Sequence, residues 1–258
     1  VWPNHPLGRP LAGTLEPVGA MTREDIVGYR DRYYQPNLIT VVAAGDIDQK
    51  TLTKAAEGRF RSGRAVLDNA SELFHAKQAR PAVKVFSKKT EQTHLSLALH
   101  AFYKDHVDEF TLDLLNVILG GNMSSRLFNE VREERGLAYD VGSYVRRYHE
   151  TGAFVVSAGV DNKKPMEALE VILKELEKVT RVAVPQDELR RAKDFYLGQL
   201  ELGLENSMNQ MLWAGESVVT LGKCRTLDEV AILTEKVTPD DIRRVAAELF
   251  HTQNLNLA

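Results

Sequence analysis

Arg132 and Tyr139 are the two side chains of this sequence whose types and spacing best suit chemistry on a carbonyl group. A guanidinium and a phenol both donate hydrogen bonds, which suits a peptide carbonyl or the oxyanion that develops from it. Arg132 follows Val131 at the edge of the apolar face of a predicted helix, and Gly136 then turns the chain into a strand bearing Tyr139. The two side chains can therefore converge at a helix-to-strand corner. Spacing alone favours the plainer alternative of a solvated arginine and a half-buried strand tyrosine.

A turn with two glycines and two serines precedes this helix, at Gly120-Gly121 and Ser124-Ser125. A serine in such a turn caps a helix at least as readily as it attacks a substrate, so a serine nucleophile has no local support. The turn also lacks the Lys-Ser or Lys-Thr pair that follows a phosphate-binding loop.

The histidines have the wrong spacing for a helical zinc site. Such a site needs two histidines four positions apart, so that both imidazoles share one helix face, and no two histidines here have that spacing. The nearest approach is His106 with Glu109, where the next residue is Phe110, and solvated polar residues are the favoured interpretation. We therefore predict no metal ligand in this chain. The seven histidines are His5, His75, His94, His100, His106, His149 and His251.

The composition argues against several classes of function. The 258 residues carry a net charge of −3 and no basic block, so a nucleic-acid-binding surface is not expected. No apolar run approaches the ~18 to 20 residues that cross a bilayer. Cys224 is the single cysteine, which excludes an internal disulfide and fits the cytoplasm or the periplasm. The chain opens on Val1 without an initiator Met or a signal-like segment, which favours an excised piece of a longer protein.

Strands and helices occur in blocks along the chain and not in strict alternation, which predicts an α+β fold. Helices are expected where a capping pattern precedes apolar residues at helical spacing, and strands where apolar residues run continuously or alternate. The predicted strands are 38–44, 83–87, 95–99, 137–146 and 153–160, with a further one beginning at 255. The predicted helices are 22–34, 48–60, 112–119, 124–135, 166–176, 189–200 and 209–221, followed by shorter pieces to 250.

Two stretches of the chain resemble each other and indicate a duplicated domain. Residues 22–26 and 238–242 both begin a capped helix with the same apolar spacing, 216 positions apart. A one-residue slip then aligns Asn37 with Asn254, 217 positions apart. Chance is the alternative, because capped helices followed by strands are common. A duplication predicts the C-terminal part of a first domain at 1–62, a linker at 63–81 and a second domain of like fold, truncated in its last strand, at 82–258.

The stretch from Gly120 to Tyr139 closely resembles the second-domain signature of the pitrilysin/insulinase zinc metallopeptidases, in their bacterial and mitochondrial-processing-peptidase-like branch. The similarity spans essentially the whole chain, because four short segments before residue 47 resemble the closing part of the first domain of that family. The segments that carry the resemblance are Gly120-Gly121-Asn122-Met123-Ser124-Ser125-Arg126-Leu127-Phe128, Val131-Arg132-Glu133, Arg135-Gly136-Leu137-Ala138-Tyr139, His5-Pro6-Leu7-Gly8-Arg9-Pro10, Gly13-Thr14, Tyr34-Gln35-Pro36-Asn37 and Ala44-Gly45-Asp46.

This resemblance implies two α+β domains of like fold that enclose a peptide-binding chamber. In the family the first domain binds zinc through H-x-x-E-H and a distal Glu, and the Glu of the motif is the general base. The second domain supplies an Arg and a Tyr, seven residues apart, that reach the substrate and help to stabilise the tetrahedral intermediate. Arg132 and Tyr139 match those positions. The expected supporting loop consists of Gly120, Gly121, Ser124, Ser125 and Arg126.

The zinc motif itself is absent from the sequence, and this departure leaves more than one function open. The leading hypothesis is the substrate-binding half of a zinc-dependent endopeptidase that hydrolyses peptides or unfolded chains, with the zinc ligands in a missing first-domain segment. The alternative is a non-catalytic partner or structural core subunit of the same family. An α+β interaction module unrelated to proteolysis is the third. The resemblance implies a peptide substrate and a homo- or heterodimer, and neither nucleic acid nor a membrane span is expected.

Overall fold

The computed structural model describes residues 1–60, Phe74 and residues 78–258. Most of the predicted linker 63–81 and His75 therefore lie outside the described residues. The described chain forms two compact units. The larger contains residues 78–202 and 226–258, and the smaller contains residues 2–60 and 203–225.

Nine α-helices occur among the described residues, and their bounds follow from local signals. Thr22, Thr226 and Thr238 each cap a helix by accepting a hydrogen bond from the third following residue, whose carboxylate accepts one in return. The helices are α1 Leu15–Ala20, α2 Arg23–Tyr33, α3 Gln49–Arg59, α4 Glu109–Leu119, α5 Pro165–Arg181, α6 Gln186–Gly203, α7 Ser207–Leu221, α8 Leu227–Glu235 and α9 Pro239–Leu249. Six of the seven predicted helices are confirmed as α-helices, and the seventh, at 124–135, contains the π-helical turn described below.

The larger unit is built on one five-stranded sheet of order β1-β5-β2-β4-β3. Strands β2, β3 and β4 form a continuous antiparallel ladder, and β5 pairs antiparallel with β2 and parallel with β1. The strand predicted at 83–87 is shorter than expected, because the paired residues of β1 are Ala82 and Val83. The strands are β1 Ala82–Val83, β2 Gln92–Ala101, β3 Ala138–Arg147, β4 Gly152–Asp161 and β5 Asn256–Leu257.

The core of this unit lies between the sheet and helices α4, α5 and α9. Helices α5 and α9 contact each other and β2, while α4 contacts α9 and β3. Leu99 of β2 lies opposite Phe154 of β4 in the ladder, and both side chains are fully buried. Burial of such apolar surface is the main stabilising contribution to a domain of this kind. Helices packed on a largely antiparallel sheet confirm the predicted α+β class.

The smaller unit contains α1, α2, α3 and α7. Its predicted strand at 38–44 is wrong: Pro36–Leu38 form a 3₁₀ turn, and the residues that follow have no strand pairing. An apolar run becomes a strand only where a neighbouring strand satisfies its backbone groups. The described residues of this unit contain no strand with which this run could pair.

The sequence repeat has a close structural counterpart. Helices α2 and α9 are each 11 residues long, start 216 positions apart (239 − 23), and carry the same capping box. Tyr34 and Phe250 end them with nearly identical backbone angles, and 3₁₀ turns then start 216 positions apart (252 − 36). The offset stays at 216 through both turns, so the one-residue slip inferred from the sequence is not present there.

Candidate functional site

Gly120, directly after α4, allows the loop to lie against strand β3. The backbone N–H of Ser143 donates a hydrogen bond of 2.9 Å to the carbonyl oxygen of Gly120. A Cβ atom at Gly120 would stand 2.5 Å from that same nitrogen, closer than real Cβ contacts come. The Ser143 hydroxyl donates to the side-chain oxygen of Asn116 at 2.8 Å, which ties β3 to the end of α4. Glycine is thus required at position 120 by close backbone approach.

The serines of the predicted loop differ in exposure and role. Ser124 is exposed, and its backbone N–H donates to the side chain of Asn122 at 2.7 Å, as in a turn. Ser125 is buried, and its hydroxyl has no hydrogen-bond partner among the described residues. Neither serine has a neighbouring base in the described hydrogen bonds that would make it a nucleophile.

Arg126 forms an ion pair within the protein. Its Nε and Nη2 donate to the two carboxylate oxygens of Glu188 in α6, at 2.8 and 2.6 Å. Both side chains are largely buried, and the hydrogen bond with Glu188 raises the pKa of Arg126 above its ordinary value. A bidentate pair of this kind fixes geometry as well as charge. Arg126 therefore supports the loop by anchoring it to α6, and Glu188 is the partner that sequence reasoning missed.

The helix that carries Arg132 is wider than the predicted α-helix. Phe128–Glu133 form a π-helical turn, in which the N–H of Glu134 donates to the carbonyl of Asn129 five residues earlier, at 2.8 Å. Short π-turns often occur at functional sites. Gly136 ends the turn with a φ of +57°, as the sequence predicted for a left-handed residue at this position.

Tyr139 lies at a second local irregularity, in the edge strand β3. Ala138 pairs with Val160 and Asp140 pairs with Gly159, so that Tyr139 is the extra residue of a β-bulge. A bulge bends the strand locally and changes the direction of a side chain. The Tyr139 side chain is 74% exposed, which is unusual for a large aromatic residue on a sheet.

The π-turn and the bulge bring Arg132 and Tyr139 together. The guanidinium carbon of Arg132 lies 5.5 Å from the centre of the Tyr139 ring and 4.8 Å from the centre of the Phe128 ring. Both distances are within the range of a cation–π contact. The Arg132 side chain is 38% exposed. The structure therefore places the predicted pair side by side on an open surface, and Phe128 is a neighbour that spacing did not reveal.

A polar cluster holds α4 against β3 and α6. Arg147 of β3 donates to the Asp113 carboxylate at 2.7 Å and to the Glu109 carbonyl at 3.0 Å, and Tyr196 of α6 donates to Asp113 at 3.1 Å. Burial raises the pKa of the Asp113 carboxyl, against the opposing effect of Arg147, and burial also raises the pKa of Tyr196. These residues are distant in sequence and were not predicted. Their role is to position α4, and through it the glycine loop.

Two cavities lie on either side of the Arg126–Glu188 pair. One, of about 330 Å³, is lined by apolar and charged residues of α4 and α6 and by loop residues 122–125. The other, of about 370 Å³, is lined by the π-turn, α5 and the segment before α6. Neither cavity is lined by Arg132 or Tyr139. Both side chains are accessible at the surface, since Tyr139 is largely exposed and Arg132 is partly exposed.

The described residues do not fit a bound zinc ion. Within residues 1–60, Phe74 and 78–258, no group of three or more His, Cys, Asp or Glu side chains is arranged to hold a metal. The segment 106–109 comes nearest to a zinc motif in the sequence. There, both oxygens of the Asp108 carboxylate lie within hydrogen-bonding distance of Arg244. His106 uses its Nδ1 to accept a hydrogen bond from the Asp108 backbone. The zinc that the sequence resemblance implies has no ligand set in the part of the chain described.

The described part of the chain also has no helix that is both long and apolar enough to span a membrane.

Comparison with known proteins points to one family. Residues 20–196 match the family model described as the peptidase M16 inactive domain. The chain is 33% identical to an uncharacterized zinc protease of Streptomyces coelicolor over 94% of the chain and 54% of that protein. It is also 33% identical to the uncharacterized zinc protease YmxG of Bacillus subtilis, over 99% of the chain and 61% of that protein. The chain thus spans little more than half the length of these curated relatives.

Solved structures show the same fold at lower identity. A protease from Helicobacter pylori superposes with a TM-score of 0.84 at 23% identity, over 95% of this chain and 60% of that chain. A peptidase M16 inactive domain from Pseudomonas fluorescens superposes with a TM-score of 0.87 at 19% identity, over 100% of this chain and 61% of that chain.

Proposed function

The chain belongs to the peptidase M16 family, and on this basis we propose that it is the substrate-binding half of a zinc-dependent endopeptidase. In this proposal the family membership supplies the class of reaction, peptide-bond hydrolysis. The chain supplies the residues that hold the peptide, which is an extended peptide or an unfolded chain. The zinc ligands belong to residues outside this chain, in a further segment of the same protein or in a partner subunit.

The observation that carries the proposal is the convergence of Arg132 and Tyr139. A guanidinium has five N–H donors in a fixed plane, and a phenol has one O–H donor. When one face of the guanidinium rests on aromatic rings, its N–H edges remain available to a carbonyl oxygen. Donors that are already in place stabilise the negative charge that develops on this oxygen when a nucleophile attacks the carbon. The exposed Tyr139 hydroxyl donates to the same group in this scheme.

The names of the relatives support zinc as the cofactor of the family, because they are called zinc proteases. A zinc ion would supply an activated water as the nucleophile. The residues of this chain would bind and orient the peptide and stabilise the oxyanion. The supporting loop, held by Ser143, Asn116 and Glu188, would keep the π-turn in place.

The test of this proposal uses Arg132→Ala and Tyr139→Phe in the full-length protein, together with any zinc-bearing subunit. We expect Arg132→Ala to lower kcat/KM for a fluorogenic peptide by about 100-fold, the usual effect of removing one oxyanion donor. Zinc content, measured by atomic absorption, should not change. Arg146→Ala is the matched control, because Arg146 lies over the Tyr144 ring on the same strand and should have less than a twofold effect. Unaltered kinetics of Arg132→Ala would remove this residue from the mechanism.

The second candidate function is that of a non-catalytic partner or structural subunit of the same family. The matched family model is that of the inactive domain, which fits this role as well. This alternative predicts a full-length protein without zinc that gains peptidase activity only when it is mixed with a separate zinc-bearing chain. Zinc analysis and a mixing assay therefore separate the two functions.

A further inference from the structure

The Arg132 guanidinium lies close to two aromatic rings, and the two rings differ in how deeply they are buried. The Phe128 ring centre is 4.8 Å from the guanidinium carbon, and the Tyr139 ring centre is 5.5 Å from it. Phe128 is half-buried, whereas Tyr139 is 74% exposed. The neighbours of Phe128 in the turn, Leu127 and Val131, are completely buried. Phe128 is therefore the ring anchored to the core.

The guanidinium of Arg132 has little else among the described contacts to fix its position. Its one recorded ion pair joins Nε to Glu133 at 3.6 Å, and both side chains are well exposed. An exposed ion pair of this length contributes little, because water screens it and both side chains lose conformational freedom. A free arginine side chain has many rotamers, so a donor on it is poorly placed for catalysis unless a neighbour restricts it.

The backbone geometry keeps Phe128 next to Arg132. Both residues lie in the π-turn Phe128–Glu133, whose end is secured where the Leu137 N–H donates to the carbonyl of Val131 at 2.8 Å. The buried side chains of Leu127 and Val131 fix the turn, and the turn fixes the Phe128 ring. The ring then offers a flat, electron-rich face to the cation.

We propose that Phe128 is a positioning residue that holds the Arg132 guanidinium in the orientation in which it binds the peptide carbonyl. This inference rests on the proposed function of Arg132. Phe128 acts through Arg132, so its contribution depends on the presence of the guanidinium. The exposed Tyr139 ring is the second aromatic contact of the guanidinium.

A double-mutant cycle in the full-length protein, with any zinc-bearing subunit present, tests this role. Phe128→Leu keeps an apolar side chain but removes the ring, and we expect it to lower kcat for a fluorogenic peptide about 2- to 5-fold, with little change in KM. Phe128→Tyr should retain wild-type kinetics. In the Arg132→Ala background, Phe128→Leu should cause no further loss, because the group that Phe128 positions is gone. An equal loss in both backgrounds would show that Phe128 acts independently of Arg132 and would overturn the proposal.

Two further measurements cover a failure of Phe128→Leu to fold. Trifluorophenylalanine at position 128 preserves shape and weakens the attraction of the ring for a cation, and should reproduce the kcat loss. In this chain alone, the Arg132 side-chain protons should show an upfield ring-current shift in NMR spectra, and the shift should shrink in Phe128→Leu. Wild-type kinetics with the fluorinated ring, or no ring-current shift in the unsubstituted chain, would contradict the positioning role. If Arg132→Ala alone leaves the kinetics unchanged, the proposed function fails instead.

Discussion

Two kinds of residue determine the local geometry of the candidate site: glycines that permit close approach, and charged residues that link distant elements. Gly120 lets the loop after α4 contact Ser143 through the backbone, and Gly136 turns the chain from the π-turn into β3. The Arg126–Glu188 pair then anchors the serine end of the loop to α6. The candidate substrate-binding pair, Arg132 and Tyr139, is exposed and depends on these neighbours for its position.

Gly120 provides a test of this dependence. We expect Gly120→Ala to lower the free energy of unfolding by about 1 to 3 kcal/mol, because the new methyl group overlaps the backbone of Ser143. Gly198→Ala is the matched control, since a Cβ there meets nothing within 4 Å and alanine favours a helix by about 0.5 to 1 kcal/mol. Urea denaturation of this chain, followed by circular dichroism, measures both. A Gly120→Ala variant as stable as Gly198→Ala would contradict the close approach.

At the scale of single elements, α2 and α9 show that two helices with the same local pattern can differ in the burial of their apolar side chains. Their caps, lengths and following 3₁₀ turns coincide at an offset of 216. Ile242 and Val245 of α9 are fully buried against the larger unit's core, whereas the corresponding Ile26 and Tyr29 of α2 are 58% and 60% exposed. Capping depends on residues within one turn, while burial depends on which other elements are present.

Ile242 and Ile26 form a matched pair for measuring this difference. In this chain, Ile242→Ala should destabilise by about 2 to 5 kcal/mol, because it leaves a cavity in the core. Ile26→Ala should change the free energy of unfolding by about 0.5 kcal/mol or less, as for an exposed position. Chemical denaturation curves for the two variants make the comparison. Similar losses for both would mean that α2 is buried in solution.

At the scale of the whole molecule, the chain is a member of a peptidase family, and the partner half of a catalytic site is the role that we propose for it. It belongs to the M16 family, matches the model of the inactive domain, and spans little more than half the length of its curated relatives. The described residues contain no metal-binding cluster. The division into segments 1–62, 63–81 and 82–258 is a proposal that follows from the sequence repeat.

Limited proteolysis tests this division. The segment 63–81 is polar and weakly periodic and is bounded by Gly63 and Pro81, a composition typical of a linker that proteases cut first. Brief treatment with a protease of broad specificity should yield fragments that end near residue 62 and begin near residue 82. Mass spectrometry of the products identifies the cut sites. First cuts within β2, β3 or β4 would refute the proposed boundaries.

Features that depend on a few adjacent residues could be predicted from the sequence. The capping boxes at Thr22 and Thr238, the left-handed Gly136 and the alternating strand β2 each follow from local hydrogen bonding or side-chain period. The motif from Gly120 to Tyr139 was long enough to identify the family, which the comparisons confirmed.

Only the tertiary structure decided the features that depend on residues far apart in the chain. Arg126 faces Glu188 from 62 positions away, and Asp113 meets Tyr196 from 83 positions away, so neither pairing has a local pattern. The run at 38–44 has the composition of a strand, but the described residues offer it no neighbouring strand to pair with. The bulge at Tyr139 arises from the register of β3 against β4. Local patterns determine how each backbone segment folds, whereas pairing, burial and side-chain convergence are determined by the other segments against which it packs.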